Sequence, residues 1–345
     1  MPLQTRSAER TIANKPKLGL PSVAIGFAAA LALVALVGCN HSASADLPAK
    51  RAAAERATTL RIGYQKSNVL LNLIRVRKAL EKRLEPAVNV VWQEFPAGPQ
   101  LLEGLNVGSI DFGCTGEVPP VFAQAADAPL LYVLTERAGP ETEAILVRSD
   151  SPLKSVSDLK GKRVALNKAS NVHFLLVRAL EQAGVSWADI EPVYLPPADA
   201  RAAFESGRVD AWAIWDPHYA EVVDAGQARL LADGTGLVDN RGYYLATRQF
   251  VSEQPETLKV LLAELRAMSQ WGDTHRDELA DFYAQVLEME PRVVRAAEHR
   301  RHFGMETMKP EIVAYQQKIA DTFFRLGLIP HGVLVQDAVW NADQK

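Results

Sequence analysis

The chain has 345 residues, of which 48% are hydrophobic and 23% charged, and its formal net charge is −3. This composition excludes an intrinsically disordered chain and a membrane protein with many spans, and the length suffices for two domains that each bury a core. The acidic net charge argues against a nucleic-acid-binding surface.

The N-terminal segment has the order of a secretory signal. Basic residues come first, an apolar run follows over 23–37, and a Leu-Val-Gly-Cys sequence ends at Cys39. That sequence resembles the bacterial lipobox, in which the cysteine is acylated and becomes the mature N-terminus. We therefore predict a lipoprotein signal peptide over 1–38, lipidation at Cys39 and a tether over 39–57, with an uncleaved anchor helix as the alternative.

The chain contains two cysteines, Cys39 and Cys114. If Cys39 carries lipid, Cys114 has no partner within the chain and no disulfide framework can form. A lone cysteine near a strand end is typically a small buried hydrophobic residue, and this is what we expect of Cys114.

Strand and helix patterns alternate along most of the chain. Apolar periodicity and turn residues predict a first series, with strands over 59–64, 88–95, 110–113 and 129–135 and helices over 69–84 and 99–107. A second series has strands over 144–148, 161–166, 192–195 and 209–214 and helices over 155–159, 172–184 and 200–205. From residue 255 to about 326 the pattern is helical. Two doubly wound α/β units result.

The two series share a motif, which suggests that one unit is built twice. Gly108 and Asp111 of the first series recur at the same spacing as Gly207 and Asp210 in the second. The apolar pattern that follows breaks at the corresponding position in both series, at Gly116 and at Trp215.

Polar residues follow several of the predicted strands. In open α/β sheets, ligands bind beyond the carboxyl ends of the strands, where helix N-termini present free N–H groups. Four strand exits have polar, turn-prone residues: 65–68, 115–117, 167–171 and 215–216. We expect these exits to meet at one crevice. For single exits the alternatives are a plain helix cap at Ser170 or Asn171 and an Asx turn at Asp216 before Pro217.

The residue types at these exits favour a small organic anion as ligand. Amides, hydroxyls and helix N-termini can hold an anion without a full countercharge, and Trp215 with the pair Tyr243-Tyr244 would add an apolar wall. His173 either lines the crevice or supports it by packing. The sequence has few paired carboxylates for acid–base catalysis, and neither a P-loop nor a nucleophile elbow.

No metal or cofactor is expected. His299 and His302 have a spacing that could ligate a metal, but they stand among Arg295, Arg300 and Arg301, a pattern typical of a solvated helix face.

Eight segments together form a dense family pattern: 60–66, 94–103, 105–113, 165–168, 170–173, 193–207, 215–217 and 317–324. They resemble the aliphatic sulfonate-binding proteins of bacterial ABC importers, within the sulfonate, nitrate and taurine substrate-binding family. The resemblance covers about 58–340. It implies the type II periplasmic binding protein fold, with two doubly wound α/β lobes, a hinge and a ligand cleft between them. Lobe 1 would comprise 58–140 plus 242–345, and lobe 2 would comprise 141–241.

The resemblance also implies a function. The chain would be a monomeric, non-enzymatic substrate-binding lipoprotein, lipid-anchored in the periplasm or at the cell surface, that serves sulfur metabolism. It would bind aliphatic sulfonates and deliver them to ABC permease and ATPase subunits, without a cofactor and without nucleic acid. The alternatives are a binder for taurine, nitrate or another small organic anion, a desulfinase-like enzyme that uses Cys114, and a sensory or structural lipoprotein without a permease.

The ligand-binding positions that we expect from the resemblance and from the strand exits number nine: Gln65, Gly116, Glu117, Ser170, Asn171, His173, Trp215, Asp216 and Tyr243. The chain departs from the family pattern at Ser67-Asn68, Cys114 and Val118. These departures lie on the expected rim of lobe 1, so the preferred sulfonate stays open.

Overall fold

The computed structural model describes residues 58–341. The predicted signal peptide, the lipidation site Cys39 and the tether lie outside the described residues. None of the helices within 58–341 is both long and apolar enough to span a membrane.

The described residues form eleven strands and twelve α-helices. The strands are β1 (Thr58–Tyr64), β2 (Val88–Glu94), β3 (Phe112–Thr115), β4 (Leu130–Glu136), β5 (Glu143–Arg148), β6 (Arg163–Leu166), β7 (Glu191–Tyr194), β8 (Ala211–Trp215), β9 (Ala228–Asp233), β10 (Tyr243–Thr247) and β11 (Met305–Glu306). The helices are α1 (Val69–Arg77), α2 (Ala79–Leu84), α3 (Gly98–Asn106), α4 (Pro119–Gln124), α5 (Asn171–Gln182), α6 (Pro197–Glu205), α7 (His218–Asp224), α8 (Arg248–Glu253), α9 (Pro255–Thr274), α10 (Arg276–Leu287), α11 (Pro291–Arg300) and α12 (Pro310–Arg325).

The strands form two sheets with the same internal order. One sheet has the order β2-β1-β3-β10-β4-β11, and the other has the order β7-β6-β8-β5-β9. In each sheet the first three strands are parallel and the fourth is antiparallel to its neighbours. The chain passes between the sheets twice, over 137–142 and over 234–242. We call the six-stranded sheet with its helices lobe 1 and the other lobe 2. The predicted α/β architecture is confirmed.

The internal repeat predicted from the sequence is present in the backbone. The N–H of Asp111 donates to the carbonyl of Arg61, and the N–H of Asp210 donates to the carbonyl of Arg163, each at 2.8 Å. Both aspartate carboxylates accept a hydrogen bond from the backbone N–H of the same arginine, again at 2.8 Å. The glycines three residues before the aspartates have φ values of +70° and +71°, a left-handed conformation that favours glycine. The same strand-entry device is therefore used in both lobes.

Two predicted elements are wrong in detail. The helix predicted over 69–84 is divided into α1 and α2, because Lys78 adopts a left-handed conformation with φ +50° and its N–H bonds back to Ile74 and Arg75. A lysine gives no sequence signal for that conformation, which glycine or asparagine usually adopts. The helical stretch predicted from 255 to about 326 is interrupted by β11, which pairs with β4.

Two C-terminal helices of lobe 1 also contact lobe 2. Phe323 of α12 packs against His173 and Phe174 of α5, with ring centroids 5.1 and 6.1 Å apart. On α11, apolar side chains cluster with Ala220 of α7. These contacts connect the lobes outside the two passages of the chain.

Candidate functional site

A pocket at the carboxyl ends of β1, β3 and β8 is lined by residues of both lobes. Lobe 1 lines it with residues after β1 and β3 and with charged residues from β4 and the end of α11: Gln65, Ser67, Asn68, Gly98, Cys114, Thr115, Gly116, Pro119, Glu136 and Arg301. Lobe 2 and the two connecting segments supply the rest: Thr142, Ser170, Asn171, Trp215, Asp216, Asn240, Arg241 and Gly242. We call this the central pocket.

The structure divides the nine predicted positions into two groups. Six line the central pocket: Gln65, Gly116, Ser170, Asn171, Trp215 and Asp216. The other three, Glu117, His173 and Tyr243, are fully buried behind its walls. The strand exits therefore meet at one pocket, although not every residue at an exit faces it.

The exit of β1 is held in place by its own hydrogen bonds. The side-chain amide of Gln65 donates to the carbonyl of Cys114 at 3.0 Å. The carbonyl of Gln65 accepts hydrogen bonds from the N–H of Asn68 at 3.0 Å and from the side chain of Asn72 at 2.9 Å. Asn68 also caps α1 by accepting from the N–H of Leu71 at 2.8 Å. Hydrogen bonds within the protein thus fix the buried amides of this wall of the pocket.

Asn171, the first residue of α5, reaches across to lobe 1. Its side-chain oxygen accepts from the N–H of Val118 at 3.3 Å, and its amide nitrogen donates to the side chain of Asn240 at 2.5 Å. A Cβ atom at Gly116 would lie 2.1 Å from that amide, so only glycine allows the approach. The helix-cap alternative is wrong for both candidates. Ser170 at the cap position makes no side-chain cap bond and donates to Asn167 instead, and the side chain of Asn171 bonds to Val118 and Asn240.

Asp216 is engaged by protein groups on both carboxylate oxygens. Arg300 of α11 donates to it from Nη2 and Nε, both at 2.8 Å, and the N–H of Ala220 donates at 3.1 Å. The aspartate is 5% exposed, and the guanidinium of Arg300 also lies 4.3 Å from the ring centroid of Tyr219. The residue predicted to contact ligand therefore forms a buried ion pair between the lobes.

Glu117 turns away from the pocket towards α12. Its carboxylate accepts from the N–H of Arg241 at 3.0 Å and from the hydroxyl of Tyr315 at 3.1 Å. Burial raises the pKa of Glu117 to about 8, so this group is mostly protonated at neutral pH.

Nearby, Tyr243 and Glu143 are fully buried and their side-chain oxygens have no hydrogen-bond partner within 58–341. The predicted role of Tyr243 as an apolar wall is therefore not supported.

His173 lies in an aromatic cluster rather than in the pocket. Its ring contacts Trp187, Tyr194 and Phe323 at centroid distances of 4.9, 5.9 and 5.1 Å. The N–H of Ala169 donates to its Nδ1 at 3.3 Å. Burial lowers the pKa of His173 to about 4, so the imidazole is neutral and supports the packing of α5 against α12.

Cys114 lines the central pocket but is nearly fully buried. Burial raises the pKa of its thiol well above the usual value. A cysteine nucleophile reacts as the thiolate, whose pKa must be lowered. The environment of Cys114 therefore favours an inert thiol and argues against the desulfinase-like alternative.

Four pocket residues with charged or amide side chains lie outside the four predicted strand exits: Glu136, Asn240, Arg241 and Arg301. The prediction of a solvated face at the end of α11 is wrong for Arg300 and Arg301, because both are paired with buried carboxylates. The pairing of Arg300 carries no local signal, since Asp216 is distant in the sequence, and the pairing of Arg301 with Glu298 depends on the burial of Glu298, which the sequence does not show.

The two lobes, the two chain passages and the pocket that both lobes line define the chain as a protein with the periplasmic binding protein fold. It belongs to the NMT1/THI5-like family, whose model matches residues 90–271.

Two solved structures are similar over most of the chain. The alkanesulfonate-binding protein SsuA from Xanthomonas axonopodis pv. citri, bound to MOPS, shares 44% sequence identity with a TM-score of 0.79, over 83% of this chain and 99% of that chain. The periplasmic aliphatic sulphonate binding protein SsuA from Escherichia coli shares 43% identity with a TM-score of 0.77, over 83% of this chain and 93% of that chain. Both are named as binding proteins and neither as an enzyme.

Replacing Arg300 by alanine tests the ion pair with Asp216. Loss of the guanidinium leaves a buried carboxylate without its charge partner, and we expect the free energy of unfolding to fall by about 3–5 kcal/mol in urea titrations. Arg292→Ala is the matched control, because Arg292 lies on the same helix and pairs with Asp224 at the surface. Its loss should change stability little. Equal losses in the two variants would contradict a special role for the buried pair.

The buried carboxyl of Glu117 should make stability depend on pH. Its pKa is about 8 in the folded chain, so the folded state retains a proton that the unfolded chain releases at lower pH. This contribution is complete below about pH 4.5 and is lost as the pH rises towards about 8. Glu117→Gln mimics the protonated acid, and urea unfolding between those pH values should show a smaller decrease in stability than in the wild type. An unchanged slope would contradict the assignment.

Proposed function

We propose that the chain is the substrate-binding component of a bacterial ABC importer and that it captures aliphatic sulfonates in the central pocket for delivery to the permease and ATPase subunits. The observation that carries this proposal is the pocket itself, in which six predicted strand-exit positions converge. Two proteins at 43–44% identity that are named as sulfonate-binding proteins support the choice of ligand.

The sulfonate head would be held mainly by neutral donors. The pocket borders the N-terminus of α5, a helix of 12 residues whose buried apolar face fixes it against the sheet. The first N–H groups of a helix have no intrahelical partner, and the helix dipole favours an anion there. Amides of Gln65 and Asn171 lie on the same pocket. These groups can surround three sulfonate oxygens without an unpaired cation.

The organic tail would lie against Trp215. This indole is half-buried, lines the pocket and packs against the apolar clusters of lobe 2. Apolar surface of the tail would be removed from water there, which favours longer alkyl chains. The inert environment of Cys114 is consistent with binding without chemistry.

We also propose that the chain is a monomeric lipoprotein, anchored through Cys39 in the periplasm or at the cell surface. The tether over 39–57 would leave the two lobes free to reach the permease.

The division between head and tail is tested by two substitutions and a series from methanesulfonate to hexanesulfonate. Burying each CH₂ group is worth roughly 0.8 kcal/mol, so Trp215→Ala should reduce the gain in affinity along the series. Asn171→Ala should weaken every member alike by about 1.5–3 kcal/mol, because all share the head group. Calorimetric titration measures both. The assignment is wrong if Trp215→Ala weakens the shortest and longest sulfonates equally, or if Asn171→Ala leaves both unchanged.

The anchor is tested by Cys39→Ala, expressed as the full chain in a bacterial host. We expect acylated, membrane-associated wild-type protein and an unacylated variant that retains its N-terminal segment. Intact-mass spectrometry distinguishes the two. A wild-type N-terminus at another residue, without lipid, would exclude the lipobox.

A further inference from the structure

The charges around the central pocket are compensated except at one place. Four formally charged side chains line it: Glu136, Asp216, Arg241 and Arg301. Asp216 is balanced by Arg300, as described above. The charge that the pocket offers to a ligand therefore depends on how Glu136, Arg241 and Arg301 are paired.

Neither arginine of the pocket is available as a free countercharge. Arg241 donates to Asp239 at 3.0 Å and to Glu306 at 2.8 Å. Arg301 donates to Glu298 at 2.9 Å, and the side chain of Glu298 is 3% exposed. A sulfonate in this pocket would therefore have no unpaired guanidinium to neutralise it.

Glu136, at the end of β4, holds the excess charge. Its Oε1 accepts a hydrogen bond from the hydroxyl of Tyr244 at 2.8 Å. Its Oε2 makes no hydrogen bond within 58–341, and the nearest cation is Nη1 of Arg301 at 3.7 Å. Arg301 is already paired with Glu298 at a shorter distance. A single guanidinium therefore compensates two carboxylates, which leaves one negative charge in excess.

The free oxygen of Glu136 is at the pocket surface. A Cβ atom on Gly242, which also lines the pocket, would lie 2.9 Å from this oxygen, so the carboxylate rests directly against that backbone. The side chain of Glu136 is 14% exposed. A carboxylate with an unused acceptor at a pocket is suited to a ligand ammonium, which brings both a charge and N–H donors.

We propose that Glu136 is an ammonium-binding subsite and that the preferred ligands are zwitterionic aminoalkanesulfonates. The sulfonate would face the N-terminus of α5 in lobe 2, and the protonated amine would face Glu136 in lobe 1. This inference rests on the proposed function, because it assumes that a sulfonate occupies the pocket. It adds a specificity determinant: the site discriminates by the amine as well as by the sulfonate and the tail.

The test compares two ligands of nearly equal size by calorimetry on the purified protein: 3-aminopropanesulfonate and butane-1-sulfonate. We expect the wild type to bind the amine about tenfold or more tightly than the alkane, the range of one charge-assisted hydrogen bond. N-acetylation of the amine, which removes its charge, should abolish that advantage. Glu136→Gln should also abolish it, because glutamine offers the amine no charge while keeping an acceptor for the hydroxyl of Tyr244.

Asp150→Asn is the matched control, since it is the same kind of exchange at a carboxylate that is 75% exposed and outside the pocket. It should keep the preference for the amine. Equal affinity of the wild type for the two ligands, or a preference that survives Glu136→Gln, overturns the inference and leaves sulfonate binding intact. Failure of both sulfonates to bind overturns the proposed function as well. If Glu136→Gln does not fold, the comparison of amine and N-acetyl amine on the wild type decides.

Discussion

The ion pair between Asp216 and Arg300 is the contact on which the arrangement of the two lobes most depends. Asp216 follows β8 of lobe 2 and is almost fully buried, while Arg300 comes from the C-terminal helices of lobe 1. A buried carboxylate is costly unless a cation and hydrogen bonds compensate it. The pair therefore requires α11 to lie against α7, and this position brings the next residue, Arg301, to the pocket wall.

The pocket that results is polar without being cationic. Its arginines are paired with carboxylates of the protein, and its amides are fixed by hydrogen bonds within the exits of β1 and β3. Such a site holds an anion by oriented dipoles, which are already in place when the ligand arrives. Asn171 contributes twice, because it lines the pocket and its contact at Gly116 joins the lobes. The side-chain amide of Asn171 therefore takes part both in the pocket and in the contact between the lobes.

Much of the fold could be predicted from local sequence. Periodicity placed most strands and helices within a few residues, and the repeated glycine and aspartate spacing corresponded to the same hydrogen bonds in both lobes. The strand exits of an α/β sheet follow from that alternation, so the six pocket residues could be found in advance. The break at Lys78 could not, because a left-handed lysine has no sequence signature.

The sequence by itself determined the alternation of strands and helices, the internal repeat and the polar character of the strand exits, because each depends on neighbours along the chain. Only the tertiary structure decided which exit residues face the pocket. Glu117 and Tyr243 are buried behind its wall, and Asp216 is occupied by an arginine 84 residues away. It also decided that Glu136 and Arg301 border the pocket. Burial and pairing of a charge depend on groups distant in sequence, and no local pattern records them.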